Sequence, residues 1–389
     1  MLDIMKEEWG NWMRGKKHFK ISKSVWVYII IAAVTVLLNL IAWKSTTFCD
    51  WYITYVFQIW VNTYGRLMGI FPFSVGELML AAAVILVAVA LILWIPMCLW
   101  KSIRRYGRKY YSFFVWILLG VCVIMTLNCS ILYHASTFSE NYFKESKEEK
   151  YSLEELVAVR NLVVEECERL ALLMEREADG TILYDQDMKA QAILDMQELG
   201  KKYERLQGFY PHPKPLVSSD FFSQQYMCGY YFPFSLEANY NDVMYLMNKP
   251  STMCHELAHL RGYIFEDEAN FISFLACTQS EDLVFQYSGY LSVLYYLDND
   301  FYDAVGRNWE LYAAQPAISA QVHQDNIFLM DEEWDRINGK ALIDTEIVDE
   351  ISDVVVDTTL KVNGVSDGMI SYNRVVELLL HYYKLQGKI

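Results

Sequence analysis

Three long apolar runs limit what this chain of 389 residues can fold into more than any other feature. They cover residues 25–43, 76–100 and 112–133, and Glu77, near one end, is their only acidic or basic residue. Each run is close to the length of ~20 residues that a helix needs to cross a bilayer. Trp43 closes the first run, as in the aromatic belt of a membrane protein. The sequence therefore predicts a mainly α membrane protein with three N-terminal transmembrane helices in a transmembrane region that covers residues 25–133.

Basic residues predict the orientation of these spans in the cytoplasmic membrane. Six lie in the polar head, residues 1–24, and five lie between the second and third spans, whereas the loop between the first and second spans has two. By the positive-inside rule the head is cytoplasmic and the part of the chain after the third span is extracytoplasmic. The first run begins too late and is too long for a cleaved signal peptide, so we expect a retained anchor in a multi-pass protein.

Charge divides the chain in the same way. Residues 1–109 carry a net charge of +8 and the remainder −23, which together make the total of −15. A strongly acidic domain repels phosphate backbones, so nucleic acid is excluded as a partner. The lipid bilayer is the one partner that composition alone predicts.

The rest of the chain divides into a linker and a domain. Residues 44–75 mix aromatic and polar side chains and are typical either of an interfacial helix pair or re-entrant segment, or of an ordinary loop. Residues 134–150 are a polar linker. Residues 151–389 are predicted to form an α+β, mostly helical extracytoplasmic domain, with strand-like patterns only at about 226–247.

His255, Glu256 and His259 form the sequence H-E-x-x-H, which carries the clearest chemistry in the chain. Residues four apart lie on one face of a helix, so both imidazoles can bind a single Zn²⁺. Glu256 then lies beside the metal, where it can take a proton from metal-bound water and later deliver it to a leaving amine. Gly262 follows three residues after the second histidine, as a C-cap glycine would.

A catalytic zinc usually takes a third protein ligand, and the next predicted helix offers acidic candidates. Glu266 shares a helical face with small and polar residues. Glu268 shares a face with Phe271, Ile272 and Leu275, which are typical of a core. This periodicity favours Glu266 as the ligand and leaves Glu268 as the alternative.

HELAH followed by a helix with the pattern E-x-x-A-N resembles the gluzincin metallopeptidases. Their third ligand is a glutamate in an E-x-x-A-D or N-E-x-x-x-D setting, and the CAAX-prenyl and HtpX-type membrane proteases use the first form. The resemblance implies a zincin-like fold, a Zn²⁺ cofactor, Glu266 as a ligand and hydrolysis of peptide bonds. It implies for Asn270 the role of the family aspartate, which holds a ligand histidine by its other ring nitrogen.

Two features depart from that pattern. Asn270 is neutral, so it can orient a histidine but cannot raise its basicity as a carboxylate would. The gap between His259 and Glu266 is also much shorter than in those proteases. The chain as a whole resembles an uncharacterised bacterial family of three-span membrane proteins, which shares a G-Y-Y-F-P-F segment (229–234), the HELAH helix and an E-D-E-A-N-F helix.

Two further roles have only candidates. Peptidases of this type often hold substrate along an edge strand, for which 240–247 is eligible, although it reads equally well as a core strand. The oxyanion of the reaction needs a Tyr, His or Arg donor, and the eligible residues are Tyr287, His323, Tyr372 and Arg374.

The sequence predicts a membrane-anchored zinc metallopeptidase that acts outside the cytoplasmic membrane on proteins or peptides, cell-wall peptides included. Two alternatives remain. One is a catalytically inactive zinc-binding receptor or assembly protein with a zincin-like fold. The other is a helix surface that binds no metal.

Overall fold

The computed structural model describes residues 22–143, 151–365 and 374–389. Most of the predicted head (1–24), part of the linker (144–150) and residues 366–373 lie outside the described residues. Within them, three helices are long and apolar enough to cross a membrane, as predicted.

These spans are α1 (Lys23–Ala42), α3 (Val75–Leu99) and α4 (Lys101–Met125). The third span starts earlier than predicted, because the basic residues after Trp100 are helical and only an extended Trp100 separates α3 from α4. It continues past α4 through a π-helical segment to His134.

The first and third spans are joined by polar contacts and meet at one end. Asn39 donates to the Thr126 hydroxyl at 2.7 Å and accepts from the Ser130 hydroxyl at 2.6 Å. Interhelical hydrogen bonds of this kind hold helices together where no water competes. The rings of Trp43 and His134 lie 4.4 Å apart, so the two spans finish side by side. This end of the bundle, next to the C-terminal domain, is called the domain end below.

Helix α2 (residues 46–68) replaces the predicted helix pair or loop. Its α-helical and π-helical segments follow one another directly, namely Thr46–Trp51, Tyr52–Phe57, Gln58–Trp60, Val61–Gly65 and Arg66–Met68. One side packs into the domain core through Tyr52, Ile53, Phe57 and Val61. The opposite side leaves large apolar groups exposed, namely Trp51, Tyr55, Ile59, Trp60 and Leu67. A helix with an unburied aromatic and aliphatic side is typical of one that lies on a membrane surface.

The domain is mostly helical, as predicted. Its helices are α5 (Phe138–Tyr142), α6 (Leu153–Ala171), α7 (Met188–Lys202), α8 (Ser219–Ser223), α9 (Lys249–His259), α10 (Glu266–Thr278), α11 (Leu283–Ala304), α12 (Trp309–Ala313), α13 (Ala320–Asp325), α14 (Asp331–Lys340), α15 (Thr345–Val362) and α16 (Val375–Leu385). The core lies where α9 and α10 pack on each other and on α7 and α11.

A small sheet covers one side of α9. Its strands β1 (Lys214–Pro215), β2 (Gly229–Phe232) and β3 (Glu237–Tyr240) have the order β1-β3-β2, with β1 parallel and β2 antiparallel to β3. The prediction of an edge strand over residues 240–247 is wrong. Tyr240 ends the central strand, and the chain then turns into the 3-10 helix Leu246–Asn248. The edge strand beside α9 is β2.

The spans are bonded to the domain rather than loosely tethered to it. Glu237 on β3 accepts hydrogen bonds from the first backbone N–H groups of α3, at Val75 (3.2 Å) and Gly76 (2.8 Å), and is paired with buried Lys214. A carboxylate at a helix N-terminus satisfies donors that the helix itself leaves free. In the predicted linker, residues 134–143 also pack onto the domain, and Phe138 is fully buried.

Candidate metal centre

Helix α9 and the turn after it bring the motif residues together. The helix begins with Pro250 in its first turn and ends at His259, so His255 and His259 fall on one face. Gly262 then reverses the chain with a φ of +83°, a backbone conformation that residues with a side chain rarely adopt. A Cβ at Gly262 would lie 2.7 Å from Ile53 of α2, so the tight turn also lets α2 pack beneath α9.

Three ligand atoms converge between α9 and α10. Glu266 Oε2 lies 2.9 Å from His255 Nε2 and 3.8 Å from His259 Nε2, and the two Nε2 atoms are 3.1 Å apart. Among the described residues this is the one group of His, Cys, Asp and Glu side chains arranged to hold a metal ion. The group could therefore bind a metal.

The outer ring nitrogens determine which atoms face the centre. His259 Nδ1 lies 2.7 Å from the Tyr263 carbonyl oxygen, and His255 Nδ1 lies 2.8 Å from Asn270 Oδ1. Both partners are acceptors, so each Nδ1 carries the proton and each Nε2 presents a lone pair. Two lone pairs and a carboxylate oxygen then meet without a donor. This is an unfavourable arrangement unless a cation or a proton occupies it, and it fits the His₂Glu ligand set of zinc sites.

The electrostatics of the metal-free centre place a proton there. Burial of His255 disfavours its charge, but the hydrogen bond and charge of Glu266 outweigh burial and raise the pKa to about 9. Burial lowers the pKa of His259 to about 4. Burial also works against the charge of Glu266, yet the two histidines lower its pKa below the ordinary value. Without metal, His255 and Glu266 therefore form an ion pair beside a neutral His259.

Glu256 lies beside the ligands in a dry position. It is 4% exposed, and its Oε2 atom has no hydrogen-bond partner among the described residues. The backbone of β2 approaches its other oxygen so closely that a Cβ at Gly229 would lie 2.6 Å from Oε1. Burial, and secondarily the nearby Glu266, raises the pKa of Glu256 to about 8. A carboxylate with a raised pKa and a free oxygen next to a metal site has the properties of a general base.

Glu268, the alternative ligand, lies outside the group of three. Its carboxylate accepts hydrogen bonds from the backbone N–H groups of Phe138 and, at 3.3 Å, Ser139, at the start of α5. It thus joins α10 to the segment that follows the third span.

Two of the predicted oxyanion donors, Tyr287 and Arg374, have side-chain partners in the structure. Tyr287 is buried and donates to Asp325 at 2.9 Å. Arg374 pairs with Asp267 at 3.1 Å, and His323 is exposed on α13. Tyr372 lies outside the described residues.

Other tyrosines lie near the centre. One is Tyr231, whose ring centroid lies 5.7 Å from that of His259, and two more are Tyr230 and Tyr296. Tyr230 on β2 is 38% exposed, yet desolvation of its hydroxyl, with smaller contributions that include Glu256 and Glu266, raises its pKa to about 12. Burial and neighbouring groups that include Glu266 likewise raise the pKa of Tyr296 on α11 to about 12, and its hydroxyl is hydrogen-bonded to Asn270. Tyr230 belongs to the G-Y-Y-F-P-F segment, a signal that could have identified it, whereas Tyr296 has no comparable signal in the sequence.

The comparisons with known proteins identify a family but no activity. The family model described as "Protein of unknown function (DUF3810)" matches residues 52–380, which is well over half of the chain. The matched region includes the second and third spans, β2, and both helices of the metal centre. No curated protein and no solved structure matches the chain.

Proposed function

We propose that this chain, which belongs to the DUF3810 family, is a membrane-anchored zinc metallopeptidase that hydrolyses peptide bonds. The observation that carries the proposal is the convergence of two imidazole lone pairs and one carboxylate beside a buried, unpartnered Glu256 oxygen. A purely structural zinc site would be closed by four ligands. A three-ligand site with an acid next to it leaves room for a substrate and a water molecule.

In this proposal His255, His259 and Glu266 hold the zinc ion, and Asn270 and the Tyr263 carbonyl keep the two rings in the binding tautomer. Bound zinc would supply Lewis acidity for the attacking water and the scissile carbonyl. Glu256 takes the proton of the attacking water and delivers it to the leaving amine, a task suited to a group whose pKa of about 8 is close to neutral pH.

Tyr230 is the proposed oxyanion donor. Its raised pKa keeps the hydroxyl protonated, and a neutral donor fixed in place stabilises negative charge that develops on the substrate carbonyl. It stands on β2, whose outer edge pairs with no described strand, so a bound peptide could add as a further strand. The strand that carries the oxyanion donor would then also be the strand that binds the substrate peptide.

We also propose that the domain faces the outside of the cytoplasmic membrane. The cluster of basic residues at 101–109 starts α4 at the end of the bundle opposite the domain. Positive residues favour the cytoplasmic side, so this position supports an extracytoplasmic domain. Labelling of cysteines introduced at Ser102 and, in the domain, at Glu281 with an impermeant thiol reagent on intact cells tests it. Modification at the Ser102 site alone would show the opposite orientation, with the domain on the cytoplasmic side.

The test of activity pairs Glu256→Gln with Glu281→Gln, a matched change at an exposed position. Each full-length protein is assayed for bound zinc by elemental analysis and for cleavage of a broad peptide library. We expect one zinc per chain in all three proteins, and at least a ~100-fold loss of cleavage in Glu256→Gln alone. Equal turnover in wild type and Glu256→Gln would disprove the role of Glu256.

The neutral Asn270 favours one alternative, a zinc-binding receptor or assembly protein without hydrolytic activity. An amide orients His255 but does not increase its basicity, which weakens one contribution to a catalytic zinc site. One zinc per chain together with no cleavage by the wild type would favour that alternative. Absence of stoichiometric zinc would exclude both.

A further inference from the structure

We infer that the substrates of the proposed peptidase are membrane-anchored proteins, cut in the segment next to their membrane anchor. This inference rests on the proposed function. It follows from the position of the metal centre against the spans.

The metal centre lies at the domain end of the third span. Tyr133, one residue before the end of this span, packs edge-on against Phe265 with ring centroids 5.4 Å apart. Phe265 immediately precedes the ligand Glu266. The third ligand is therefore separated from the end of a membrane helix by a single aromatic contact.

Helix α2 packs against the end of α9 and so sets the distance of α9 from the surface on which α2 lies. Gln58 Nε2 donates to the Leu260 carbonyl at 3.4 Å, and Ile53 fills the space at Gly262, so α2 lies directly under the end of α9. The other side of α2 exposes its aromatic and aliphatic side chains. If that side rests on lipid, the end of α9 lies about one helix diameter, ~10 Å, from the membrane surface.

The edge strand leads from the metal centre towards the bilayer. At its first residue, Gly229 lies against Glu256. Beyond its last residue, the Pro233 carbonyl accepts a 2.6 Å hydrogen bond from Asn128 of the third span, and Phe232 packs on Gly76 at the start of α3. Asn128 is six residues before the end of that span, or about 9 Å along the helix.

A peptide added along the outer edge of β2 would therefore have its scissile bond near Glu256 and one end close to the bilayer. The four residues of β2 cover about 10–13 Å. A substrate anchored in the same membrane reaches the centre with only roughly four to eight residues between anchor and cut. A soluble peptide gains nothing from this geometry, so the membrane-anchored stem is the occupant that the arrangement favours.

The experiment uses the full-length protein in proteoliposomes and three forms of each of several unrelated probe peptides. One form is free, one is joined to a transmembrane helix by about six residues, and one is joined by about thirty. The long-spacer form has the same membrane concentration as the short one, so it controls for co-localisation. Mass spectrometry locates each cut.

We expect the short-spacer probes to be cut at least about tenfold faster than the long-spacer and free probes. The cut should also keep a constant distance from the anchor, so that inserting four residues at the anchor moves it by four residues along the probe.

Two results overturn the inference for different reasons. If free and anchored probes are cut at the same sequence and rate, and cleavage needs Glu256 and zinc, the peptidase stands but the anchored-substrate inference fails. If no probe is cut, or Glu256→Gln cuts as well as wild type, the proposed function fails and the inference with it.

Discussion

Zinc affinity of the candidate centre should increase about tenfold per pH unit between pH 6 and pH 8. In the metal-free centre, His255 holds a proton because Glu266 outweighs the effect of burial and raises the His255 pKa to about 9. His259 stays neutral over this range, with a pKa of about 4. Metal binding must expel the His255 proton, so protons compete with zinc at low pH.

The size of the effect follows from that pKa. Below a pKa of about 9, the neutral fraction of His255 is roughly one tenth at pH 8 and one thousandth at pH 6. The apparent affinity for zinc should therefore be about 100-fold weaker at pH 6 than at pH 8. The sign is definite: a pKa raised in the metal-free state makes binding weaker as the pH falls.

Competition with a chromogenic chelator at pH 6, 7 and 8 measures the affinity. Calorimetry in two buffers of different ionisation enthalpy counts the protons released, and we expect about one per zinc at pH 7. Glu256 has a pKa of about 8 and titrates in the same range, so the series is repeated in Glu256→Gln, where that group stays neutral.

Glu266→Gln serves as the diagnostic variant. It removes a ligand and also the charge that raises the His255 pKa, so zinc binding should be weaker and its pH dependence shallower. Glu281→Gln, an exposed change, should behave as wild type. A zinc affinity that is constant between pH 6 and pH 8, with no proton release from the wild type, would refute this account of the centre.

Three further predictions concern single residues. Glu268→Gln should keep one zinc per chain while lowering the free energy of unfolding by about 1–3 kcal/mol, measured by thermal unfolding in detergent. The two oxygens of Glu268 accept from different backbone N–H groups of α5, and glutamine replaces one of these oxygens with a donor. Zinc loss in that variant would instead make Glu268 the third ligand. Gly262→Ala should destabilise the protein more than Gly180→Ala. Both glycines have a positive φ, at which an alanine costs about 1–2 kcal/mol of stability. Of the two, only Gly262 is also crowded by another side chain. Equal melting temperatures would contradict the close packing of α2 under α9. Tyr230→Phe should lower kcat by about 10²–10³-fold with little change in KM. Tyr226→Phe, a change at an exposed tyrosine, should leave both constants unchanged. A normal kcat in Tyr230→Phe would exclude Tyr230 as the oxyanion donor.

Sequence reasoning succeeded where the signal is local. The three spans follow from the sum of side-chain hydropathies over about twenty neighbouring residues, and the structure confirms them. The choice of Glu266 over Glu268 depended on which residues share a helical face. The structure brings Glu266 to the two histidines and directs Glu268 to the backbone of α5.

Sequence reasoning failed where a residue's role depends on distant partners. The strand pattern at 240–247 could not reveal that Tyr240 pairs on both sides and that β2 is the edge. The oxyanion candidates were chosen by residue type and stay a prediction, although the structure shows that Tyr287 is hydrogen-bonded to Asp325. Tyrosine is abundant in this chain, so residue type alone could not indicate which tyrosines lie near the metal centre.

The sequence by itself thus determined the spans, the two helices of the metal centre and its three candidate ligands, because hydropathy and helical periodicity are properties of neighbouring residues. Only the tertiary structure decided that α2 lies beneath α9 and that Glu237 binds the start of a span more than 160 positions earlier in the chain. It also decided that Tyr133 packs against Phe265, the residue before the third candidate ligand. These contacts depend on how separate elements pack, and no local pattern encodes them. They join the motif, which lies in the domain after the spans, to the ends of the long apolar helices.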